Sequence, residues 1–231
     1  MGIEADKGVD VLQTNPKERG RFISFEGTEG VGKTTAIKSL CSHLEDKNIG
    51  YIKTREPGGS LFAEKLRNIL LDKDTDINDD TELLLVFAGR CDHIQKTIMP
   101  ALEQGLWVIT DRYYDSTYGY QGFGRGYGNR ATLNKIESLI KHFVGIEPDL
   151  TLWMDMPLIE GMRRAGKRGA ADRFEQQEIA FFERVYSGFE YQMKRNPNRI
   201  ERINALGTVE EVTARVWDAV QAKFGTVNTK E

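Results

Sequence analysis

Along the chain, short strand-like runs, three of them nearly continuously apolar, alternate with longer stretches in which apolar residues recur every three or four positions. The short runs, Phe22 to Phe25, Gly50 to Arg55, Leu106 to Thr110, Leu150 to Asp155 and Arg199 to Asn204, predict five strands. Ile37, Leu40, Cys41 and Leu44 share one face of a helix that opens after Lys33. Further helices are predicted over Leu61 to Leu71, Thr81 to Gln104, Thr132 to Phe143, from about Leu158, and over Phe174 to Arg195. Leu83 to Phe87 is apolar on nearly all sides, which predicts burial of that helix in the body of the domain. Thr208 and Glu211 stand at capping-box spacing ahead of a last helix that carries Val209, Val212, Val216, Val220 and Phe224. Strands and helices in this alternation predict a three-layer α/β domain around a five-stranded parallel sheet.

Composition narrows the classes. A chain of 231 residues, 39% of them hydrophobic, can build one large domain or two small ones. A net charge of −3 argues against a general polyanion binder, so no nucleic-acid partner is expected and any phosphate site must be a local basic pocket. Cys41, Cys91 and the 3 histidines show no metal-ligand spacing, which fits a reduced, cytoplasmic chain. No apolar run is long enough for a membrane span, and the charged start (Glu4, Asp6, Lys7) lacks a signal-peptide core. Residues 1–20 lack periodicity and read as an extension, 21–225 as the domain, and 226–231 as a tail.

The run after the first strand, Gly27-Thr28-Glu29-Gly30-Val31-Gly32-Lys33-Thr34-Thr35, fits G-x-x-x-x-G-K-[S/T]. Its glycines let backbone N–H groups turn inward, and the following helix adds partial positive charge at its N-terminus. Together these cradle polyphosphate. Lys33 offers a point charge to the outer phosphates and the Thr34 hydroxyl a ligand for Mg2+. The position between strand and helix separates this pattern from a glycine-rich turn with an incidental lysine.

Ligands of open parallel sheets gather beyond the carboxyl ends of the strands. Arg55 stands there, ahead of Glu56-Pro57-Gly58-Gly59-Ser60, as an anion ligand or a surface charge. Arg90 either snorkels to solvent or faces a buried anion or polar base. Asp111 and Arg112 match a magnesium-side carboxylate and a phosphate clamp, with a surface ion pair as the alternative. Ser116 to Gly128 mixes glycine, aromatic rings and hydroxyls, which suits a nucleobase or sugar, or an aromatic loop packed on the domain. The cations Arg163, Arg164, Lys167, Arg168 and Arg173, interrupted by glycines, read as a short basic lid over about 162–175.

The loop at Gly27 is shared by GTPases, ATPase motors and small-molecule kinases. Asn134-Lys135-Ile136-Glu137 imitates a guanine-reading N-K-x-D, but it ends in Glu and falls inside a predicted helix. A small kinase accounts for more of the residues. Five separated motifs, Gly27 to Thr35, Thr54-Arg55-Glu56-Pro57-Gly58-Gly59, Asp111-Arg112-Tyr113, Tyr120 to Gly126 and Asp172-Arg173-Phe174-Glu175, together resemble the thymidylate kinases of bacterial type, from about Arg21 to Phe224. The resemblance implies the P-loop nucleoside monophosphate kinase fold and transfer of the γ-phosphoryl of ATP to dTMP, giving dTDP and ADP on the way to dTTP. It also implies Mg2+ and a homodimer. Another P-loop kinase, or an ATP-binding module without catalysis, stays open as an alternative.

By that resemblance Gly27 to Thr35, with Lys33, hold the ATP phosphates, and Thr34 and Asp111 serve the metal. Arg55 and Arg112 resemble the clamp on the monophosphate, with Glu29 and Pro57 near it. Arg90 corresponds to the residue that reads the thymine carbonyl edge, Thr117 and Gln121 to further base contacts, and Tyr120 to the aromatic beside the sugar. Many members carry a base-stacking Phe four residues before that arginine. Here Val86 stands there, and stacking is assigned to Phe87. Arg164, Arg168 and Arg173 are the candidate lid arginines.

Overall fold

All five expected strands form: β1 (Phe22–Glu26), β2 (Tyr51–Arg55), β3 (Trp107–Asp111), β4 (Leu150–Asp155) and β5 (Ile200–Asn204). The computed structural model describes residues 18–166, 172–175 and 177–225. The strands make one parallel sheet in the order β2-β3-β1-β4-β5. Phe25 and Arg55 both pair with Asp111, so the carboxyl ends of β1, β2 and β3 lie level. The connection leaving β1 runs one way along the sheet to β2, and the one leaving β3 runs the other way to β4. Between two such strands the loops diverge and leave a crevice.

Helices cover both faces. α1 (Lys33–Asp46) follows the glycine loop, and α2 (Leu61–Leu71) is capped by the Ser60 side chain. The helix expected over Thr81 to Gln104 is instead α3 (Asp79–His93), a wider π-helical stretch Ile94–Ile98 and α4 (Met99–Glu103). Asn78 caps α3 two residues earlier than expected, and Pro100 lacks the N–H that would continue a regular ladder. Ser116 to Gly128, expected as a loop, is largely helical: α5 (Tyr114–Thr117) runs into a π-helical stretch Tyr118–Arg125 whose residues are mostly buried. α6 (Arg130–Phe143) starts from its Asn129 cap, and α7 (Leu158–Ala165) leads toward the basic segment. α8 (Ile179–Arg195) begins later than Phe174, whose N–H is taken by Asp172 Oδ1 at 2.9 Å. α9 (Val209–Phe224) carries the expected capping box of Thr208 and Glu211.

Strand alternation divides the core. Ile23 and Phe25 pack with Ile37, Leu40 and Leu44 of α1 and Val216 and Val220 of α9. Phe22 and Val108 face Leu83, Ile98, Leu102, Leu133 and Ile136 on the other side. A third cluster joins Trp153 to Phe181, Val185 and Phe189 of α8. Burial of each such side chain contributes about 1.5–3 kcal/mol. Of the expected extension, residues 18–20 belong to the fold, where Gly20 N–H donates to the Leu102 carbonyl and Arg19 pairs with Asp149. Residues 1–17 and the tail 226–231 lie outside the described residues.

Candidate active site

The crevice between β1 and β3 holds a cavity of about 510 Å³ lined by Glu29 to Thr35, Arg55, Glu56, Pro57, Asp111, Arg112 and residues of α3 and 114–125. The glycine loop forms its floor. Gly30 has φ +75°, and a Cβ there would lie 1.9 Å from the Gly161 carbonyl oxygen, so only glycine lets α7 approach the loop this closely. Lys33 Nζ folds back to donate to the carbonyls of Gly27 and Thr28, each at 3.0 Å. Burial, then the neighbouring Arg112 charge, lowers its pKa to about 8. Phosphate oxygens are stronger partners for that ammonium than the two carbonyls it now holds.

Arg112 is pinned from several sides. Its φ is +72°, unusual for a residue with a Cβ, and its N–H donates to the Phe25 carbonyl at 2.9 Å. Its guanidinium reaches the Gly27 carbonyl at 2.8 Å, Ser116 Oγ at 3.1 Å and Glu29 Oε1 at 3.0 Å, and lies 4.9 Å over the Tyr120 ring. Burial opposes its charge, but Tyr120, Glu29, Asp111 and Glu26 outweigh burial and raise its pKa. Behind it Glu26, fully buried, accepts from Tyr113 N–H and Ser116 Oγ. Burial and the nearby Asp115 carboxylate push its pKa up to about 8. Asp115 in turn takes a bidentate pair from Arg199, at 2.7 and 2.8 Å.

Arg90 does not snorkel. It is buried, with Nε 2.7 Å from Glu56 Oε2 and Nη1 3.0 Å from Thr117 Oγ1, and its guanidinium sits 4.9 Å from the Phe87 ring. Glu56 also receives His93 Nδ1 at 3.0 Å, so one carboxylate orients two neighbours. Phe87 is not placed to stack on a bound base. Phe87 packs into the core beneath Arg90, and Val86 is the residue of that pair on the cavity wall. Thr117, Tyr120 and Gln121 all line the cavity, and the Tyr120 hydroxyl donates to Glu29 Oε1 at 2.6 Å. Arg67 of α2 also lines it and donates to the Pro57 carbonyl at 2.7 Å, a cation that no sequence signal singled out.

The remaining wall comes from α7 and from 172–175. Arg164 lines the cavity while donating to Glu160 Oε1 at 2.9 Å, and Arg55 does so while paired with Glu64 at 2.9 Å. Arg173, a candidate lid arginine, donates to buried Glu82 at 2.7 Å, and its neighbours Asp172, Phe174 and Glu175 line the cavity. Arg168 lies outside the described residues. For a metal, Asp111 Oδ1 is buried with no hydrogen-bond partner, and the Thr34 side chain lies on the same cavity wall. Among the described residues no group of three or more His, Cys, Asp or Glu could hold a metal alone. One carboxylate and one hydroxyl fit a cation that keeps waters and shares substrate phosphates, as Mg2+ does.

Comparison with known proteins names this arrangement. A family profile described as thymidylate kinase matches residues 25–216. A thymidylate kinase of Psychrobacter sp. (strain PRwf-1) is 62% identical over 205 residues, 89% of this chain and 99% of that one. One from Acinetobacter baylyi is 44% identical over 203 residues, covering 87% and 98% of the two chains. The crystal structure of thymidylate kinase from Ehrlichia chaffeensis superposes with a TM-score of 0.70 at 33% identity, covering 88% of this chain and 99% of that chain. On the strength of the matched profile and of identity along nearly the whole chain, this protein belongs to the thymidylate kinase family.

Proposed function

We propose that this cleft performs the family's reaction, transfer of the γ-phosphoryl of ATP to dTMP, with the loop Gly27 to Thr35 and Lys33 on the ATP phosphates and Arg55 and Arg112 on the monophosphate. The observation that carries the assignment is convergence: Lys33, Arg55, Arg90, Arg112 and Arg164 reach one cavity in a protein of net charge −3. A phosphate monoester has a second pKa near 6, so the acceptor is largely dianionic at neutral pH and needs no strong base. What opposes reaction is repulsion between two polyanions. Cations preorganised in a buried crevice offset that repulsion where charge develops in the transition state.

Thr34 and Asp111 would hold Mg2+, which supplies further neutralisation of the triphosphate. Arg90 takes the thymine carbonyl edge, with Thr117 and Gln121 as further base contacts and Val86 against the ring. Glu29 and Tyr120, bonded to one another, border the sugar and phosphate. Pro57 lies on the wall beside Arg55. Arg164 is the described basic-segment arginine that faces the phosphates.

The assembly is a homodimer. Leu61, Phe62 and Ile69 on α2 and Leu84 on α3 leave large apolar surface exposed, which association would cover. The enzyme works in the cytoplasm, where its free cysteines Cys41 and Cys91 stay reduced. The test is ADP release with ATP and Mg2+ across dTMP, dUMP, dCMP, dAMP and dGMP. A strong preference for dTMP is expected, and flat inactivity on all five overturns the assignment.

A further inference from the structure

We propose that Glu82 is a positioning residue that sets which base the site reads, by fixing the amide of Gln121. Glu82 is fully buried in the first turn of α3. Its Oε1 accepts from Gln121 Nε2 at 2.8 Å, and its Oε2 accepts from Arg173 Nη1 at 2.7 Å and Arg125 Nη2 at 3.3 Å. Every partner is a donor. Two of those donors are guanidinium groups, whose charges match a carboxylate that accepts on both of its oxygens.

A carboxylate permits only one orientation of a facing amide. Nε2 must point at it and Oε1 away, because the reverse sets oxygen against oxygen. Gln121 is itself buried and lines the cavity, and with Nε2 held on Glu82 its Oε1 is turned away from that carboxylate as the acceptor it offers a ligand. Thr117, one turn earlier, holds Arg90 on the same wall, and with Nε and Nη1 engaged Arg90 keeps Nη2 as a donor. One acceptor and one donor match a pyrimidine edge with an N3–H donor and an O4 acceptor, as in thymine or uracil. Cytosine presents the opposite pattern, an N3 acceptor and an N4 amino donor, and meets like with like. The inference rests on the reading of Gln121 as a base contact.

The experiment compares kcat/KM for dTMP and dCMP in the parent protein, Gln121→Met, Glu82→Gln, Gln121→Glu and the double variant Glu82→Gln/Gln121→Glu. Gln121→Met is expected to lower kcat/KM for dTMP; unchanged discrimination in it overturns the base-contact reading and this proposal with it. In Glu82→Gln the new side chain keeps its oxygen on the arginines and offers its amide N–H to Gln121 Oε1. Gln121 then turns a donor to the cavity, and the preference for dTMP over dCMP is expected to fall about tenfold or more, chiefly through KM. The double variant puts an acceptor-only carboxylate at position 121 facing an amide at position 82, so the preference is expected to return. A purely structural Glu82 predicts no such return. Gln121→Glu alone sets two carboxylates face to face and should lose activity that Glu82→Gln then restores, so the pair decides the matter even if Glu82→Gln alone does not fold. Parent-like discrimination in a folded Glu82→Gln, or no recovery in the double variant, overturns the proposal while leaving the reading of Gln121 intact.

Discussion

Arg112 holds an unfavourable backbone conformation because four acceptors around it require its hydrogens. Arg112→Ala removes the clamp charge and is expected to lower kcat/KM for dTMP by about 10²–10³-fold while leaving a cooperative melt, read by ADP release and by thermal unfolding. Burial, and after it the Arg112 charge, depresses Lys33 to a pKa of about 8, which should appear as an alkaline limb in kcat/KM for ATP. Lys33 is cationic below that value, so ATP capture falls as pH rises through 8. In Arg112→Ala the limb should move to higher pH, and an unmoved limb would mean that another group titrates. Glu26 gives a different pH signature. Its folded pKa near 8 exceeds the unfolded 4.5, so between those values the native state binds the extra proton. Stability from this group is therefore lost as pH rises across that window, by up to about 1.4 kcal/mol per pH unit. Glu26→Gln should flatten that decline in urea midpoints measured from pH 5 to 8. Of the cavity residues, Lys33 and Arg112 were legible from motif spacing and strand-end placement, whereas Thr117 and Gln121 came only from the family resemblance. Glu26, Glu56 and Glu82 were not legible, because a single acidic residue looks solvated until the elements packed over it are known.

At the scale of elements, the stretch Tyr118–Arg125 shows what glycine-rich sequence can conceal. Its glycines suggested a loop, yet they serve close packing, Gly119 and Gly124 against α8 and Gly122 against α6. A Cβ on Gly188 would lie 2.7 Å from Gly119 Cα, and one on Gly124 would lie 2.6 Å from the Phe181 ring. Gly188→Ala is therefore expected to destabilise by about 1–3 kcal/mol, through forced separation of two backbones. Gly89, inside α3, is the control. Its added Cβ would meet nothing nearer than 3.6 Å, so Gly89→Ala should stabilise by about 0.5–1 kcal/mol through helix propensity. Urea unfolding at unchanged slope separates the two outcomes, and equal effects would contradict the packing argument. All five strands and the capped start of α9 were readable because short strand-like runs between turn residues and capping boxes are local patterns. The π-helical insertions were not readable. They answer to neighbours such as α8 that lie far away in sequence.

At the scale of the molecule, α3 faces two ways. Val86 lies on the cavity wall, while Leu84, two residues earlier and so on the opposite side of the helix, is 57% exposed. Leu61, Phe62 and Ile69 are exposed on α2, which packs against α3. A second copy pressed onto this outer surface would steady the helix that carries Arg90, Glu82 and Val86, and each apolar side chain it covers would contribute about 1.5–3 kcal/mol. Association and base recognition would then be linked through one element. Leu84→Glu puts a charge where the apolar contact belongs and leaves the cavity wall untouched. The parent is expected to sediment at twice the chain mass and Leu84→Glu at the single mass, with a severalfold higher KM for dTMP and little change in the affinity for ATP, whose loop lies on β1. A parent that sediments as a single chain would show that this apolar surface does not join two copies. A monomeric Leu84→Glu with parent-like KM would instead show that α3 holds the base wall without help from a partner.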